Sequence, residues 1–535
     1  MTALLIVVYS LCGIYMLFNF KHDLHMLQQN SYRISRYWRY IKKYDAGSLW
    51  RLSDVAMLFL IFSRLLETSV AAVFMGVFCV TKTLLILRQK FKKPLVFTKR
   101  VIRLYCVSSA IFLGFYLWDV FKLGFQDVEG LTYSGPVLAL GILLLMSIFS
   151  WMIIMLSTVV LMPVEKSINN KYIKDAKGIL HQMPDLKVIG VTGSYGKTST
   201  KHFLERILSE KFDVIMTPGS FNTPMGVVRT IRENMKPYHT IFICEMGAKQ
   251  KGDIKEICDI VHPEIGIVTA VGPMHLETFK TLENVCNTKF ELIDALPKDG
   301  FGIVNNDFEA CAERTVNNVN YARYSTHEES EGKADYVAKD IFYTSEGTDF
   351  SVSIPSGAIF KFHTNLVGDC NISNLLAAVI AALKLGMNEN EIKRGVAAIE
   401  QVEHRLNIKK TPGGFTIIDD AYNSNPYGSK MALEVLSGMK DGRRIIITPG
   451  MIELGDKQYE LNEQLGEEIG KNVDLAFIVG EYNREALLEG IRKTDLSKDA
   501  VYVVDSFKEA QDKLSMLLKK GDTVLYENDL PDTFK

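Results

Sequence analysis

Apolar and polar positions follow two rhythms along this chain. Up to residue 163 the apolar residues come in long blocks, whereas from Glu165 onward they come in short runs separated by stretches of helical periodicity. The first block, Ala3–Phe18, extends through Asn19 and Phe20 and sits near the minimum of about 17 residues that cross a bilayer core as a helix. Further blocks cover 54–87, 101–123 and 136–162. Beyond them, β-branched runs at Lys187–Thr192, Thr240–Cys244, Ile265–Thr269 and Gly302–Asn305 alternate with helical patterns, which predicts a mostly parallel sheet flanked by helices. Residues 336–367 alternate with a period of two, predicting a small antiparallel addition. A second α/β series begins near Gly414, with strands expected at Phe415–Asp419, Arg444–Thr448, Leu475–Gly480, Ala500–Val504 and Thr523–Tyr526. The fold class that follows is an α-helical transmembrane region, residues 1–163, ahead of an α/β region in two parts, 164–405 and 406–535.

The connections between the blocks set an orientation. Residues 21–51 carry Lys21, Arg33, Arg36, Arg39, Lys42, Lys43 and Arg51, and residues 88–103 carry Arg88, Lys90, Lys92, Lys93, Lys99, Arg100 and Arg103, while 125–135 has no basic residue. Basic loops stay in the cytoplasm. This predicts a multi-pass protein of the cell membrane with everything after residue 163 in the cytoplasm. Two cytoplasmic flanks require an even number of crossings within 54–87, so a hairpin turning near Arg64 and Glu67 gives five segments; one long helix there leaves four. Arg64 and Glu67, three apart, either pair on one helical face or mark a proton or ion path. The first block lacks a preceding basic residue and a small-x-small cleavage site, so it reads as a retained anchor.

Composition narrows the classes of function. A chain of 535 residues, 47% hydrophobic and 23% charged, is too long and too apolar for disorder. A net charge of −1 argues against nucleic acid as a partner. Eight cysteines without a C-x-x-C pair give neither a zinc ribbon nor a redox motif and suit a reducing cytosol.

The strongest motif is Gly190-Val-Thr-Gly-Ser-Tyr-Gly-Lys-Thr-Ser199, placed between an apolar strand and a helix. Its glycines let backbone N–H groups turn toward a phosphate at the positive end of a helix. Thr192, Gly193, Ser194, Tyr195, Gly196, Lys197, Thr198 and Ser199 are therefore candidate ATP contacts, Lys197 reaching the β/γ-phosphates and Thr198 meeting magnesium. The strict Walker spacing wants glycine at 191, where this chain has valine and a glycine one residue earlier.

That departure and the residues after it resemble the Mur ligases, ATP-dependent amide-forming enzymes, and within them the branch that adds D-alanyl-D-alanine in peptidoglycan synthesis. The resemblance runs over about residues 185–530 and implies a P-loop central ATPase domain followed by a Rossmann-like C-terminal domain. It carries a role to each matching position. Asn222, in Thr217-Pro-Gly-Ser-Phe-Asn-Thr-Pro, falls near the γ-phosphate. Glu245, in Ile243-Cys-Glu-Met-Gly, becomes a magnesium carboxylate. His275, in Gly272-Pro-Met-His, stands beside a second magnesium, and Lys289, in Asn287-Thr-Lys-Phe-Glu, matches the lysine that the family carbamylates. Asn371 and Asn374 meet the adenine region, and Arg405 and Asp419 match nucleotide contacts of the C-terminal domain. Taken singly, His275 and Lys289 are more often a satisfied histidine and a solvated helix lysine; their shared order behind the phosphate loop is what gives them weight.

The implied reaction activates an acceptor carboxylate as an acyl phosphate and couples it to an amino acid or short peptide, with ATP and two magnesium ions as cofactors and Lys197, His275, Lys289 and Arg405 as catalytic groups. Two departures bear on the substrates. Membrane spans stand where that branch has a soluble domain for the UDP-linked acceptor, so a lipid-linked acceptor at the membrane comes into view. The chain also reads Tyr526-Glu-Asn-Asp-Leu-Pro531 instead of carrying Lys-Gly-Ser after the last strand, although Gly450-Met-Ile-Glu-Leu-Gly455 keeps the Glu-Leu-Gly. Two other readings remain open at this stage: a poly-γ-glutamate-synthase-like ligase, and a transporter with an ATP-sensing domain.

Overall fold

The structure is a computed structural model and describes residues 1–63, 65–89, 91, 94–125, 133–344, 347–421 and 424–528. The chain separates into two compact units, Met1–Asn170 and Lys171 onward.

The first unit is helical: α1 (Thr2–Gln29), α2 (Ile34–Tyr40), α3 (Leu49–Phe62), α4 (Thr68–Arg88), α5 (Lys99–Lys122), α6 (Gly135–Ile148) and α7 (Ser150–His181), which continues past Asn170. Helices α1, α4, α5 and α7 are long and apolar enough to cross a membrane, and α6 is a shorter apolar helix. The 54–87 block is split between α3 and α4, which overturns the single long helix. Glu67 immediately precedes α4, with an extended backbone, and so lies outside a shared helical face; Arg64 lies outside the described residues. The 136–162 block, expected as one span, breaks at Phe149. The cause is visible two residues earlier. The Ser147 carbonyl accepts from Asn19 Nδ2 at 3.2 Å and from Arg51 Nη1 at 3.0 Å, and side chains that claim a carbonyl interrupt the helical ladder.

Those contacts belong to a buried polar core. Arg51 meets Asp23 and Asp45 at 2.7 Å each, and Ser150 Oγ at 3.1 Å. Lys82 meets Asp54 at 3.1 Å and the Trp50 carbonyl at 2.6 Å. Charges placed among apolar helices are costly unless paired in this way.

The second unit contains two sheets. The first has nine strands: β1 (Lys187–Thr192), β2 (Val214–Met216), β3 (Ile241–Glu245), β4 (Ile265–Val268), β5 (Phe301–Asn305), β6 (Asn320–Ser325), β7 (Tyr336–Thr344), β8 (Gly347–Ser353) and β9 (Ile359–Thr364), in the order β2-β3-β1-β4-β5-β6-β7-β8-β9. Strands β1 to β7 pair in parallel and β7-β8-β9 antiparallel. The antiparallel segment therefore extends the main sheet at one edge. Parallel strands buried on both faces read as continuous apolar runs, and β1 and β3 divide accordingly: Val188, Phe242 and Cys244 face one core, Ile189, Val191 and Ile243 the other. Helices α8 (Lys197–Leu208), α9 (Pro224–Asn234), α10 (Asp253–Val261), α11 (Leu276–Phe279), α12 (Leu282–Asp294), α13 (Glu309–Ala312), α14 (Asp369–Lys384) and α15 (Glu389–Ala397) complete this part. Phe203, Leu204 and Ile207 of α8 join α14 on the second core, while Phe290 and Leu292 of α12 join the first.

The second sheet starts earlier than the pattern indicated, with β10 (Asn407–Lys410) antiparallel to β11 (Thr416–Asp420). With β12 (Arg444–Thr448), β13 (Leu475–Val479), β14 (Val501–Val504) and β15 (Thr523–Glu527) it has the order β10-β11-β15-β12-β13-β14. Helices α16 (Pro426–Ser437), α17 (Gln458–Asn472), α18 (Arg484–Arg492) and α19 (Phe507–Leu517) accompany it.

Candidate active site

Strand β1 lies between β3 and β4, so the chain leaves it in opposite directions on its two sides. In open α/β sheets ligands bind outside the carboxyl ends of the strands at such a reversal. Pairing of Val191 with Glu245 brings the phosphate loop and the carboxylate at the end of β3 side by side there.

The loop holds its shape through two glycines. Gly196 caps α8 with φ 78°, and a methyl group on it would lie 2.1 Å from Asn374 Oδ1. A methyl group on Gly193 would lie 2.1 Å from Thr269 Oγ1. Ser194 N–H donates to the Ala270 carbonyl at 2.8 Å. Lys197 folds over this loop, its Nζ donating to the Gly193 carbonyl at 2.6 Å and the Ser194 carbonyl at 3.3 Å. Burial pushes that ammonium down to about 8, with Glu245 opposing the shift and Arg405 adding to it. Backbone carbonyls are poor partners for a buried cation, so an incoming phosphate would displace them.

Glu245 gathers four residues. Thr198 Oγ1 donates to it at 3.2 Å, Asn222 Nδ2 at 2.9 Å and Lys201 Nζ at 3.1 Å, while the Glu245 N–H donates to Thr217 Oγ1 at 3.1 Å. Burial favours the neutral acid, but Lys201 and Lys197 outweigh it and hold the carboxyl below its usual range. Lys201 is fully buried and also donates to the Gly219 carbonyl at 2.6 Å. Sequence reasoning gave Lys201 no role, although it lies on the same face of α8 as Lys197, one turn on.

Lys289 projects from α12 into the interior. It is 3% exposed, and among the described residues no carboxylate lies within ion-pair distance of it. Burial, joined by the charge of Lys197, holds its pKa well below the lysine range. His275 precedes α11 with φ 53° and is hydrogen-bonded through Nδ1 to Glu453 Oε2. Glu453 sits in the quoted Gly450–Gly455 run, whose pattern carried no role for it.

The remaining candidates lie on the far side of the loop and in the second sheet. Asn374 Oδ1 accepts from Thr200 Oγ1 at 3.2 Å, and Asn371 Nδ2 donates to the Val367 carbonyl at 2.8 Å. Asp419 accepts from His404 Nδ1 at 2.9 Å, and its neighbour Asp420, pushed up to about 6 by burial against the pull of Arg405, accepts from Leu406 N–H at 3.1 Å. Arg405 lines a cavity of about 670 Å³ together with Thr198, His202, Gly219 and Ser220. Tyr195 of the loop stacks on Tyr427 of α16, ring centroids 5.6 Å apart and 11° from parallel, with Phe308 packed against both. At the end of the last strand Glu527 is fully buried and accepts from Ser424 Oγ at 2.5 Å and Ser429 Oγ at 2.6 Å. Tyr422, Asn423, Asp529, Leu530 and Pro531 lie outside the described residues.

Residues 191–382 match the Mur ligase middle domain, and residues 404–526 match the glutamate ligase domain of Mur ligases. The UDP-N-acetylmuramoyl-tripeptide--D-alanyl-D-alanine ligase of Haemophilus influenzae is 30% identical over 358 residues, 64% of this chain and 76% of the relative. The chain belongs to the Mur ligase family. The enzyme of the same description from Bacillus subtilis is 29% identical over 357 residues, 66% of this Mur ligase and 75% of the relative. Among solved structures, MurF from Acinetobacter baumannii superposes with a TM-score of 0.61 at 26% identity, covering 68% of this chain and 77% of that one. MurF from Thermotoga maritima in complex with ADP gives 0.60 at 26% identity, covering 68% and 80%. As a Mur ligase of this kind the chain is an ATP-dependent enzyme that forms C–N bonds. The two matched segments begin at residue 191, so the helical unit lies outside them.

Proposed function

We propose that this Mur ligase is a membrane-anchored amide ligase that joins an amino acid or short peptide to the carboxylate of a cell-envelope precursor. The observation that carries the reading is the meeting of Lys197, Thr198 and Glu245 at the reversal of the sheet. A phosphate loop, a hydroxyl and an ionised carboxylate there form a site for a nucleoside triphosphate with a divalent cation. Residues 164–405 form the ATP-binding part and 406–535 the amine-presenting part in this reading.

The first step transfers the γ-phosphoryl group of ATP to the acceptor carboxylate, giving an acyl phosphate and ADP. Both reactants are anionic, so the site has to screen them while charge spreads over the phosphoryl oxygens. Lys197 and Arg405 supply fixed positive charge, and the loop amides of Gly193–Ser199 and Asn222 orient the phosphates. Magnesium, when bound, neutralises charge between the two reactants. Thr198 and Glu245 would hold one ion through hard oxygen ligands. His275 and Lys289 would hold a second, with Lys289 carbamylated so that its cation becomes a carboxylate-like ligand. Its burial without a counterion supports this, because only an uncharged amine adds carbon dioxide. Asn371, Asn374 and Asp419 complete the nucleotide contacts. In the second step the donor amine attacks the acyl carbon, and the amide forms as inorganic phosphate departs.

The relatives named above are ligases of a UDP-linked muramoyl tripeptide and D-alanyl-D-alanine. Here four helices are long and apolar enough to span a membrane. With α3 and α4 crossing as a hairpin, the basic segments 21–51 and 88–103 and the ligase part all face the cytoplasm, so we assign a lipid-linked acceptor. The stretch Tyr526-Glu-Asn-Asp-Leu-Pro531 stands in place of the Lys-Gly-Ser that the related branch carries after its last strand, which argues for a changed amine pocket. Phosphate release by the detergent-purified chain, run against L- and D-amino acids and dipeptides with and without a bacterial lipid extract, tests the reading. Stimulation that depends on the extract is expected. Full activity with the UDP-linked tripeptide and D-alanyl-D-alanine alone would overturn the lipid-linked acceptor, and no ATP consumption under any condition would overturn the ligase.

A further inference from the structure

Glu453 and His275 come from opposite parts of the ligase unit, 178 positions apart, and the structure shapes both chain segments so that they meet. His275 and Glu453 both have left-handed backbones, φ 53° and 63°, a conformation that non-glycine residues hold only where the surroundings enforce it. The Glu277 N–H points at the Glu453 carbonyl at 3.5 Å. Gly455, two residues on, has φ 63°, and a methyl group on it would come within 3.1 to 3.3 Å of the backbone of Leu276 and Glu277. The segments are thus apposed backbone to backbone, and the Glu453 side chain reaches a ring nitrogen of His275, the residue that leads into α11.

A carboxylate on Nδ1 of an imidazole fixes which nitrogen carries the proton. With Nδ1–H donated to Glu453, the Nε2 lone pair is left available, which is the arrangement by which a carboxylate orients a metal-binding histidine. We infer that Glu453 is a positioning residue, which holds His275 in the tautomer and orientation that a second divalent cation requires and does so only when the C-terminal part has closed on the middle part. The inference rests on the ligase reading above and assigns a task to a residue that this reading leaves without one. Its consequence is order of assembly: the second ion is held well only after the amine-presenting part has docked.

Mn²⁺ binding to the full-length, detergent-purified chain in the presence of a non-hydrolysable ATP analogue, followed by electron paramagnetic resonance, separates this from simple packing. The unmodified protein is expected to bind two ions. In Glu453→Ala the affinity for one of them falls by about tenfold or more, while the other is unchanged. In Glu453→Gln the amide oxygen still accepts from Nδ1–H, so most of that affinity returns. A folded Glu453→Ala protein that binds both ions as the unmodified chain does would overturn the inference alone, as would a Gln variant no better than Ala. An unmodified chain that binds no second ion would overturn the two-ion site and this inference together.

Discussion

Arg51 in the helical unit and Lys289 in the ligase unit are equally buried, each 3% exposed. Arg51 meets two carboxylates at 2.7 Å, and Lys82 close by meets a third at 3.1 Å. Lys289 has no carboxylate within ion-pair distance among the described residues, and after burial the charge of Lys197 acts on it more strongly than the opposing Asp253 and Glu291. A saturated buried ion pair does structural work, since its groups have nothing left to offer a ligand. An unpaired buried cation destabilises the fold and persists where chemistry uses it.

The contrast is broken most easily at the phosphate loop. Lys197→Ala should lower turnover by about 10³-fold, read as phosphate release, because it removes the ammonium that folds over the phosphate loop. Removing the paired cation comes next. Arg51→Met strands Asp23 and Asp45, and should cost about 3–5 kcal/mol in the stability of the helical unit, measured by thermal unfolding in detergent. Replacing Arg51, Asp23 and Asp45 together by apolar residues should recover most of that loss. Lys289→Ala should lower turnover by about 10²-fold, with short carboxylates restoring part of it; an unchanged rate would remove the carbamate.

Two smaller effects sharpen the same comparison. Lys289→Met should stabilise the ligase unit by about 1 kcal/mol, since it replaces a buried amine that no carboxylate pairs with by an apolar side chain of similar length, whereas the equivalent change at Arg51 destabilises. The Lys197 ammonium, held at about 8 against an ordinary 10.5, is mostly neutral between those values. A phosphate raises its pKa, so ADP binding near pH 9 should take up close to one proton. The uptake should fade below pH 8, where the lysine is already charged. Calorimetry in buffers of different ionisation enthalpy reads it directly.

What the sequence revealed follows the distance over which each feature is specified. The phosphate loop is contiguous, and Gly193, Gly196, Lys197 and Thr198 have roles that few other residues can take, so both the loop and its flanking strand and helix were legible. Glu245 was legible through the resemblance, at the end of the β-branched run Thr240–Cys244. The meeting of His275 with Glu453 was not, since nothing local to either residue encodes the other. The break at Phe149 was invisible for a different reason: the apolar pattern runs through it unchanged, and the cause lies in Asn19 and Arg51 claiming the Ser147 carbonyl. The antiparallel edge was readable as strands, but its attachment to the main sheet depends on the pairing of Tyr324 with Tyr336, a register that a period of two does not specify. Strand β2, with only three residues, is too short to leave a pattern.

The flat contact between Tyr195 and Tyr427 gives the enzyme an optical gauge of its own. One ring rides on the loop that would cradle the nucleotide, the other on the lobe expected to deliver the amine. Any swing between the lobes must unstack them, so a tryptophan substituted at 427 would change its emission as the lobes part, turning each catalytic cycle into a signal that can be timed without labelled substrate.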